Sequence, residues 1–404
     1  MKANPGRLFA LALLLSGSPV QPLSAQSLPT GPVSAFDGRV SVGAEITATF
    51  GASDDTAFFN YTDYEHNALR MFRVALSAAW RPVERLALVG EVRSEDLDSV
   101  RPYAAYVRVR PWPSVPFDVQ AGRIPPAFGS YGRRTYTLDN PLIGYPLAHQ
   151  YLTSLRPDAI PAQVDDLLEM RGRGWRVSYP VGATGEGPGI PILSAFRWDT
   201  GVQARWRGKR FETTAALTTG TLSDPRVGDN NGGKQVSGRF AVLPAAGLII
   251  GASAARGAWL DSDVTSLLVN GAEGYSQSAF GADFEYSRDY WVVRSEIIWS
   301  RWNMPFAATG QEEDLDALAA WIEGRYRITP RIFLAARADR LGFSTMTQDG
   351  QAISWDAPVT RYEANVGYYF QRNLLGRLAV QHNDRDGGRV LSRTYVSGQL
   401  AYWF

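Results

Sequence analysis

Between residues 40 and 50 the apolar side chains Val40, Val42, Ala44, Ile46, Ala48 and Phe50 alternate with Ser41, Gly43, Glu45, Thr47 and Thr49. A period of two puts all of the first set on one face of an extended chain and all of the second on the other. The pattern returns at Phe280, Ala282, Phe284 and Tyr286, opposite Asp283 and Glu285. It returns along the odd positions 291–299, opposite Arg294 and Glu296, and along the even positions 362–370, opposite Arg361, Glu363 and Asn365. A charge facing lipid at mid-membrane costs roughly 2–4 kcal/mol, whereas in a wet lumen it costs little. A soluble sandwich would turn its apolar faces inward instead. The recurrent two-faced strands therefore predict an all-β chain, folded as a transmembrane antiparallel β-barrel with its apolar faces outward.

Connection lengths support the same fold. Short connections are expected at 81–84, 111–116, 208–209, 244–246, 288–289, 329–331 and 371–373, and long ones at 221–233, 258–277, 303–314 and 341–358. Short turns at one end and long loops at the other are characteristic of outer-membrane barrels. With both ends of the chain on one side the strand number is even. The count is about 16, within a range of 14–18, from a first strand at 39–50 to a last at 392–404.

The N-terminus reads as an export signal. Lys2 and Arg7 precede the apolar run 8–15, and a small-residue region ends at Ala25. This predicts a signal peptide over residues 1–25, too short to anchor the chain, and a single barrel domain over 26–404. No later stretch of 18 residues is apolar and uncharged, which excludes helical membrane spans. With 0 cysteines there are no disulfides or thiolate metal sites, and a formal charge of +1 gives no sign of nucleic-acid binding.

The last strand ends Leu400-Ala401-Tyr402-Trp403-Phe404. This resembles the C-terminal strand of bacterial outer-membrane β-barrels, which ends in Phe with an aromatic residue two positions earlier. The resemblance implies that Tyr402 and Phe404 form an assembly signal read by the barrel assembly machinery. It also implies a location in the bacterial outer membrane, with lipids and lipopolysaccharide as neighbours. Arg70, Arg101, Arg256, Arg301 and Arg340 fall on lipid-facing parity beside long connections, and are expected to form an outer belt against lipopolysaccharide phosphates.

The inward parity is rich in charge. Arg73, Arg93, Arg108, Arg110, Arg205, Arg294, Arg325 and Arg337 are expected to line a pore, together with Glu45, Glu91, Arg239, Glu323 and Arg377. So charged a lumen is expected to be hydrated rather than packed. One connection, residues 126–195, is far longer than the rest and follows the fifth strand, where general diffusion porins fold a loop inward. A connection of that length is usually functional. With Arg123 it brings Arg133, Arg134, Arg156, Arg171, Arg173 and Arg176 against Asp158, Asp165, Asp166 and Glu169. Opposed charges of this kind are expected to form a constriction.

The segment begins Ala121-Gly122-Arg123-Ile124-Pro125-Pro126-Ala127-Phe128-Gly129. It resembles the Gly-basic-x-Pro-Pro-x-Phe-Gly stretch of the phosphate-selective and polyphosphate-selective porin family. That resemblance implies sixteen strands, a homotrimer and basic residues that select anions. The prolines end ladder pairing and Gly129 permits a turn, so the chain leaves the wall at a fixed angle. The chain departs from that family in lacking a lysine cluster, since its only lysines are Lys2, Lys209 and Lys234.

Catalysis finds little support. The only histidines are His66, His149 and His382, with no G-x-S-x-G motif and no metal-spaced pair. The expectation is a passive channel for small hydrophilic solutes, biased to anions, without a cofactor or energy coupling. The alternative is a barrel that does not conduct and acts as an adhesin or structural protein.

Overall fold

The computed structural model describes residues 32–404 except 56, 63–65, 113, 135 and 196–197; the expected signal peptide lies outside the described residues. Sixteen antiparallel strands form the wall. They are β1 (Val40–Gly51), β2 (Met71–Val83), β3 (Leu86–Glu95), β4 (Ser99–Val109) and β5 (Phe117–Ile124). There follow β6 (Asp199–Arg207), β7 (Phe211–Thr218), β8 (Gln235–Ala245), β9 (Leu248–Ala258) and β10 (Ser276–Arg288). The last six are β11 (Trp291–Phe306), β12 (Gln311–Arg327), β13 (Ile332–Phe343), β14 (Val359–Gln371), β15 (Leu374–Arg385) and β16 (Ser392–Trp403). Each pairs with its chain neighbours, and β1 pairs with β16 from Glu45↔Trp403 to Gly51↔Ser397, which closes the sheet. Closure leaves no edge whose backbone groups would stand unpaired in lipid.

The strand number matches the alternation-based count, and so does the sense of the faces. Leu76, Phe280, Ile297, Leu318, Leu378 and Val396 are exposed, while their neighbours Ser77, Ala279, Glu296, Ala319, Arg377 and Ser397 are buried. An apolar band running over every strand would be untenable in water and is suited to hydrocarbon. Aromatic side chains gather at the short-turn end, where Trp291 lies 4.5 Å from Tyr326 and Tyr402 lies 6.4 Å from Phe404. No helix among the described residues is long and apolar enough to cross a membrane.

Two expectations about the wall need correction. Residues 303–314 are not a long loop, because Asn303 pairs with Asp314 and Phe306 with Gln311, leaving a tight turn at 307–310. Their polarity reflects a hairpin that continues past the apolar band, stitched by Arg301 to Asp316 at 2.6 Å and to Asp314 at 2.9 Å. The second concerns Arg101. A bulge between Glu91 and Val92 shifts the β3–β4 register, so Arg101 stands opposite the inward Arg93. Arg70, Arg256, Arg301 and Arg340 keep the outward parity.

Candidate functional site: the lumen and its long loop

Residues 125–198 link β5 to β6, and the path begins with two backbone requirements. Gly122 has a φ of +124°, and a Cβ there would meet the Ala105 carbonyl oxygen at 2.3 Å. Gly129 has a φ of +70°, and a Cβ there would meet Glu296 Oε1 at 2.5 Å. Only glycine fits such a turn made against another wall. The chain leaves β5 and reaches β9 and β11, where the Gly129 amide donates to Ser253 Oγ (3.0 Å) and the Ser130 amide to Glu296 (2.8 Å).

From there to Gln150 the segment is strapped to inward side chains around much of the barrel. Arg134 contacts Glu285 (2.9 Å) and Glu323 (3.6 Å) on β10 and β12. The Tyr136 hydroxyl donates to Glu91 on β3, and Thr137 gives its amide and hydroxyl to Glu45 on β1. Arg377 of β15 donates to the carbonyls of Asn140 and Leu142. The Gly144 amide donates to Glu363 and the Leu147 amide to Asp339. Arg361 donates to the Tyr145 carbonyl and to Gln150, while Arg73 donates to the Tyr145 hydroxyl. These partners lie on β1–β3 and β9–β15. Among the described residues, no hydrogen bond joins residues 126–150 to a side chain of β4–β8.

The β4–β8 wall differs in charge as well. Arg108 pairs with Asp118 (3.0 Å), Arg207 with Glu212 (3.4 Å), and Arg239 with both Glu212 (2.8 Å) and Asp283 (2.6 Å). Arg110 and Arg205 have no carboxylate partner among the described residues, and neither does Arg133 of the loop, whose guanidinium donates to the carbonyls of Pro126 and Ala127. Arginine therefore outnumbers acid on this side. Toward the long-loop end the same wall is covered by Tyr103, Tyr106, Ile124, Ala127 and Trp198.

Elsewhere many of the charges are matched, although Arg361 and Arg377 donate to carbonyls and side-chain amides rather than to carboxylates. Arg73 meets Glu95 (2.7 Å), Arg93 meets Glu91 (2.5 Å), and Arg337 meets Glu363 (2.9 Å) and Glu323 (3.6 Å). Arg93 also lies over the Tyr103 ring at 3.3 Å. Arg294 meets Glu285 (3.1 Å) and Glu323 (3.5 Å). Arg325, near the short-turn end of β12, has no carboxylate partner among the described residues. Most inward side chains at mid-height are buried, so the expectation of a hydrated, unpacked lumen is corrected. There the paired charges and residues 126–150 of the loop pack against one another.

The remaining expected constriction residues do not converge. Arg123 is in register with the exposed Ala105, on the outward parity, and donates from Nε to the Tyr103 carbonyl (3.1 Å). Arg156 is consumed by Asp158, two residues on, and by the carbonyls of Val177 and Gly185. Asp166 caps the helix Val164–Glu169 by accepting from the amides of Ala162 and Gln163. Asp165 accepts from Gln348, and Arg171 donates to the Ser354 carbonyl, so this part joins the hairpin at 345–354. Glu169, Arg173 and Arg176 are exposed. Sequence reasoning missed the keystone of this upper layer, Asp356. It is buried and accepts from the amides of Ser154, Gly172 and Ala357 and from the Tyr151 hydroxyl. Burial pushes its carboxyl above the usual range despite those donors.

The histidines lie apart: His66 is 3.5 Å from Asp96, His149 is 3.8 Å from Glu296, and His382 bonds Thr394. Phe404 exchanges both backbone hydrogen bonds with Ala44 of β1, at the seam of the barrel.

No protein-family model and no curated relative matches the sequence. Solved structures do. OmpT of Vibrio cholerae, an outer membrane protein, superposes with a TM-score of 0.55 at 11% identity, covering 93% of this chain and 100% of that one. An anion-selective porin from Comamonas acidovorans gives 0.54 at 7% identity, covering 90% and 99%. The outer membrane channel DcaP of Acinetobacter baumannii gives 0.51 at 12% identity, covering 92% and 100%. At such identities the likeness establishes a porin-type barrel fold.

Proposed function

We propose that this chain is a passive channel of the bacterial outer membrane, passing small hydrophilic solutes with a bias to anions. The closed barrel, its apolar outer band and the likeness to outer-membrane porins support the location. The observation that carries the bias is the unbalanced wall: among the described residues Arg110, Arg133 and Arg205 have no carboxylate partner, beside Arg108, Arg207 and Arg239. Among the described residues that wall also takes no hydrogen bond from residues 126–150 to its side chains, so the solute path runs between it and the loop. Transport is diffusion down a gradient, with fixed guanidinium charge raising the local concentration of anions.

Residues 126–195 set the constriction in this reading, with Arg133 as the loop's contribution. Assembly as a homotrimer is supported by the trimer form of Vibrio OmpT and by a depression of small residues, Gly324, Ala336 and Ala364, on the outward face of β12–β14. Outward Arg70, Arg256 and Arg340 suit lipopolysaccharide phosphates.

A second reading is favoured by the packed interior. A barrel whose inward side chains are mostly buried could be a surface protein that does not conduct. Current through planar bilayers separates the two. Discrete current steps support the channel, and a folded protein that leaves bilayers silent overturns it.

A further inference from the structure

At the long-loop end the later part of the β5–β6 connection, with residues 61–62, Arg101 and residues 223–224, lines a cavity of about 230 Å³. Its floor is the short helix Leu147–Gln150, and its sides include Tyr61, Trp175, the turn 188–191 and Ser223. Three properties set it apart from the basic wall below.

The first is a pair of buried polar groups with unused capacity. Gln150 is 1% exposed, and its Oε1 is held by Arg361 Nη1 at 3.1 Å and by the Tyr145 amide at 3.4 Å. Those contacts fix the amide orientation and leave Nε2 without an acceptor. His149 is 2% exposed; its Nε2 faces Glu296 at 3.8 Å, and its Nδ1 has no hydrogen-bond partner among the described residues. A buried donor or acceptor left unpaired is destabilising, so Gln150 Nε2 and His149 Nδ1 beside one cavity mark a place that takes a polar guest. The second property is an aromatic wall. Tyr61 and Trp175 stack at 4.1 Å with an 11° interplanar angle, and Phe58 leans on both. The third is charge balance, since Arg101 and Asp224 both line the cavity with opposite sign.

We infer that this cavity is a binding site for a neutral, polyhydroxylated ring the size of one sugar. The volume is just under the ~300 Å³ at which drug-sized ligand sites begin, which suits one ring rather than two. The apolar face of such a ring lies against the aromatic wall, while its hydroxyls accept from Gln150 Nε2 and bond the His149 imidazole. An anion is disfavoured because the lining has no net charge. The inference gives a solute class to the channel proposed above and rests on that reading for its use, but the binding itself is measured without it.

The test uses the full-length barrel in detergent, with glucose as probe, inorganic phosphate as competitor, and saturation-transfer NMR as readout. The variants are Gln150→Glu, which keeps the acceptor for Arg361 and removes the donor, and Trp175→Ala, which truncates a half-exposed side chain. Each is first checked for heat-modifiable folding. Saturable glucose binding is expected, at least tenfold weaker in each folded variant and indifferent to phosphate. No saturable signal on the folded wild type, unchanged affinity in a folded variant, or displacement by phosphate would overturn the site. Glucose binding by a barrel that carries no current would sink the channel and keep the site. Current without glucose binding would do the reverse.

Discussion

The two sides of the lumen treat the same side chain differently. On β9–β15 and β1–β3 the guanidinium groups of Arg73, Arg93, Arg294 and Arg337 each meet a carboxylate, and the loop adds amides and carbonyls to the same networks. On β4–β8 there are fewer acids and, among the described residues, no hydrogen bond from residues 126–150 to a side chain; Arg108, Arg207 and Arg239 are paired, but Arg110 and Arg205 meet no carboxylate. A buried pair holds structure together mainly because losing one partner strands the other. An arginine with no carboxylate partner among the described residues, such as Arg133 or Arg205, is itself buried, but its removal strands no acid and its charge is not cancelled locally. In the proposed channel, arginine on the matched side is therefore architectural, and on the unmatched side it acts on solutes.

That contrast can be broken by substitution. Arg337→Ala leaves the buried Glu363 without a cation and should cost roughly 3–5 kcal/mol, read as a fall in the temperature at which the folded band is lost on gels. A loss below about 1 kcal/mol would mean that water already solvates that acid. Arg134→Ala should cost less, about 1–3 kcal/mol, because Arg294 still faces both Glu285 and Glu323.

A smaller effect is expected in the upper layer. Asp356→Asn replaces an acceptor facing three amides and should cost about 1–3 kcal/mol, with faster protease cutting between 151 and 195. The raised pKa gives this site a sign. A folded state that holds the Asp356 proton more tightly than the unfolded chain is helped by that group at low pH. The help is lost as pH rises from the ordinary carboxylate range through the folded value. Cleavage of the wild-type loop should therefore quicken over that rise, and Asp356→Asn should flatten the dependence. A steeper dependence in the variant would contradict the assignment.

The smallest change in stability should come from Arg205→Ala, about 1 kcal/mol or less, because it strands no buried acid. A shift as large as that of Arg337→Ala would erase the distinction between the two sides.

How much of this was legible in the sequence follows from the range of each signal. Alternation is local, so strand number, wall sense and most inward arginines could be read directly. One-residue events defeat it: the bulge at Glu91 and Val92 turns Arg101 inward, and strict parity along β5 turns Arg123 outward. The hairpin at 303–314 was obscured because its strands outrun the membrane and lose their apolar face. The loop's partners were illegible for another reason. Arg133 and Arg134 are adjacent, yet one faces the basic wall and the other Glu285, a difference set by where the chain crosses the lumen. The Gly122-to-Gly129 stretch signalled that the chain turns off the wall, but not where it lands.

The central claim is that the β4–β8 wall and Arg133 govern permeation, and reversal potential across a salt gradient tests it most directly. The wild type should favour anions, and Arg133→Glu with Arg205→Glu should move the potential toward cations. The equally charged exchange Arg294→Glu, if folded, should move it less. Screening length falls from about 10 Å at 0.1 M to about 3 Å at 1 M salt, so the difference should shrink at molar salt. A wild type that already favours cations, or a double variant with the wild-type potential, would contradict the account.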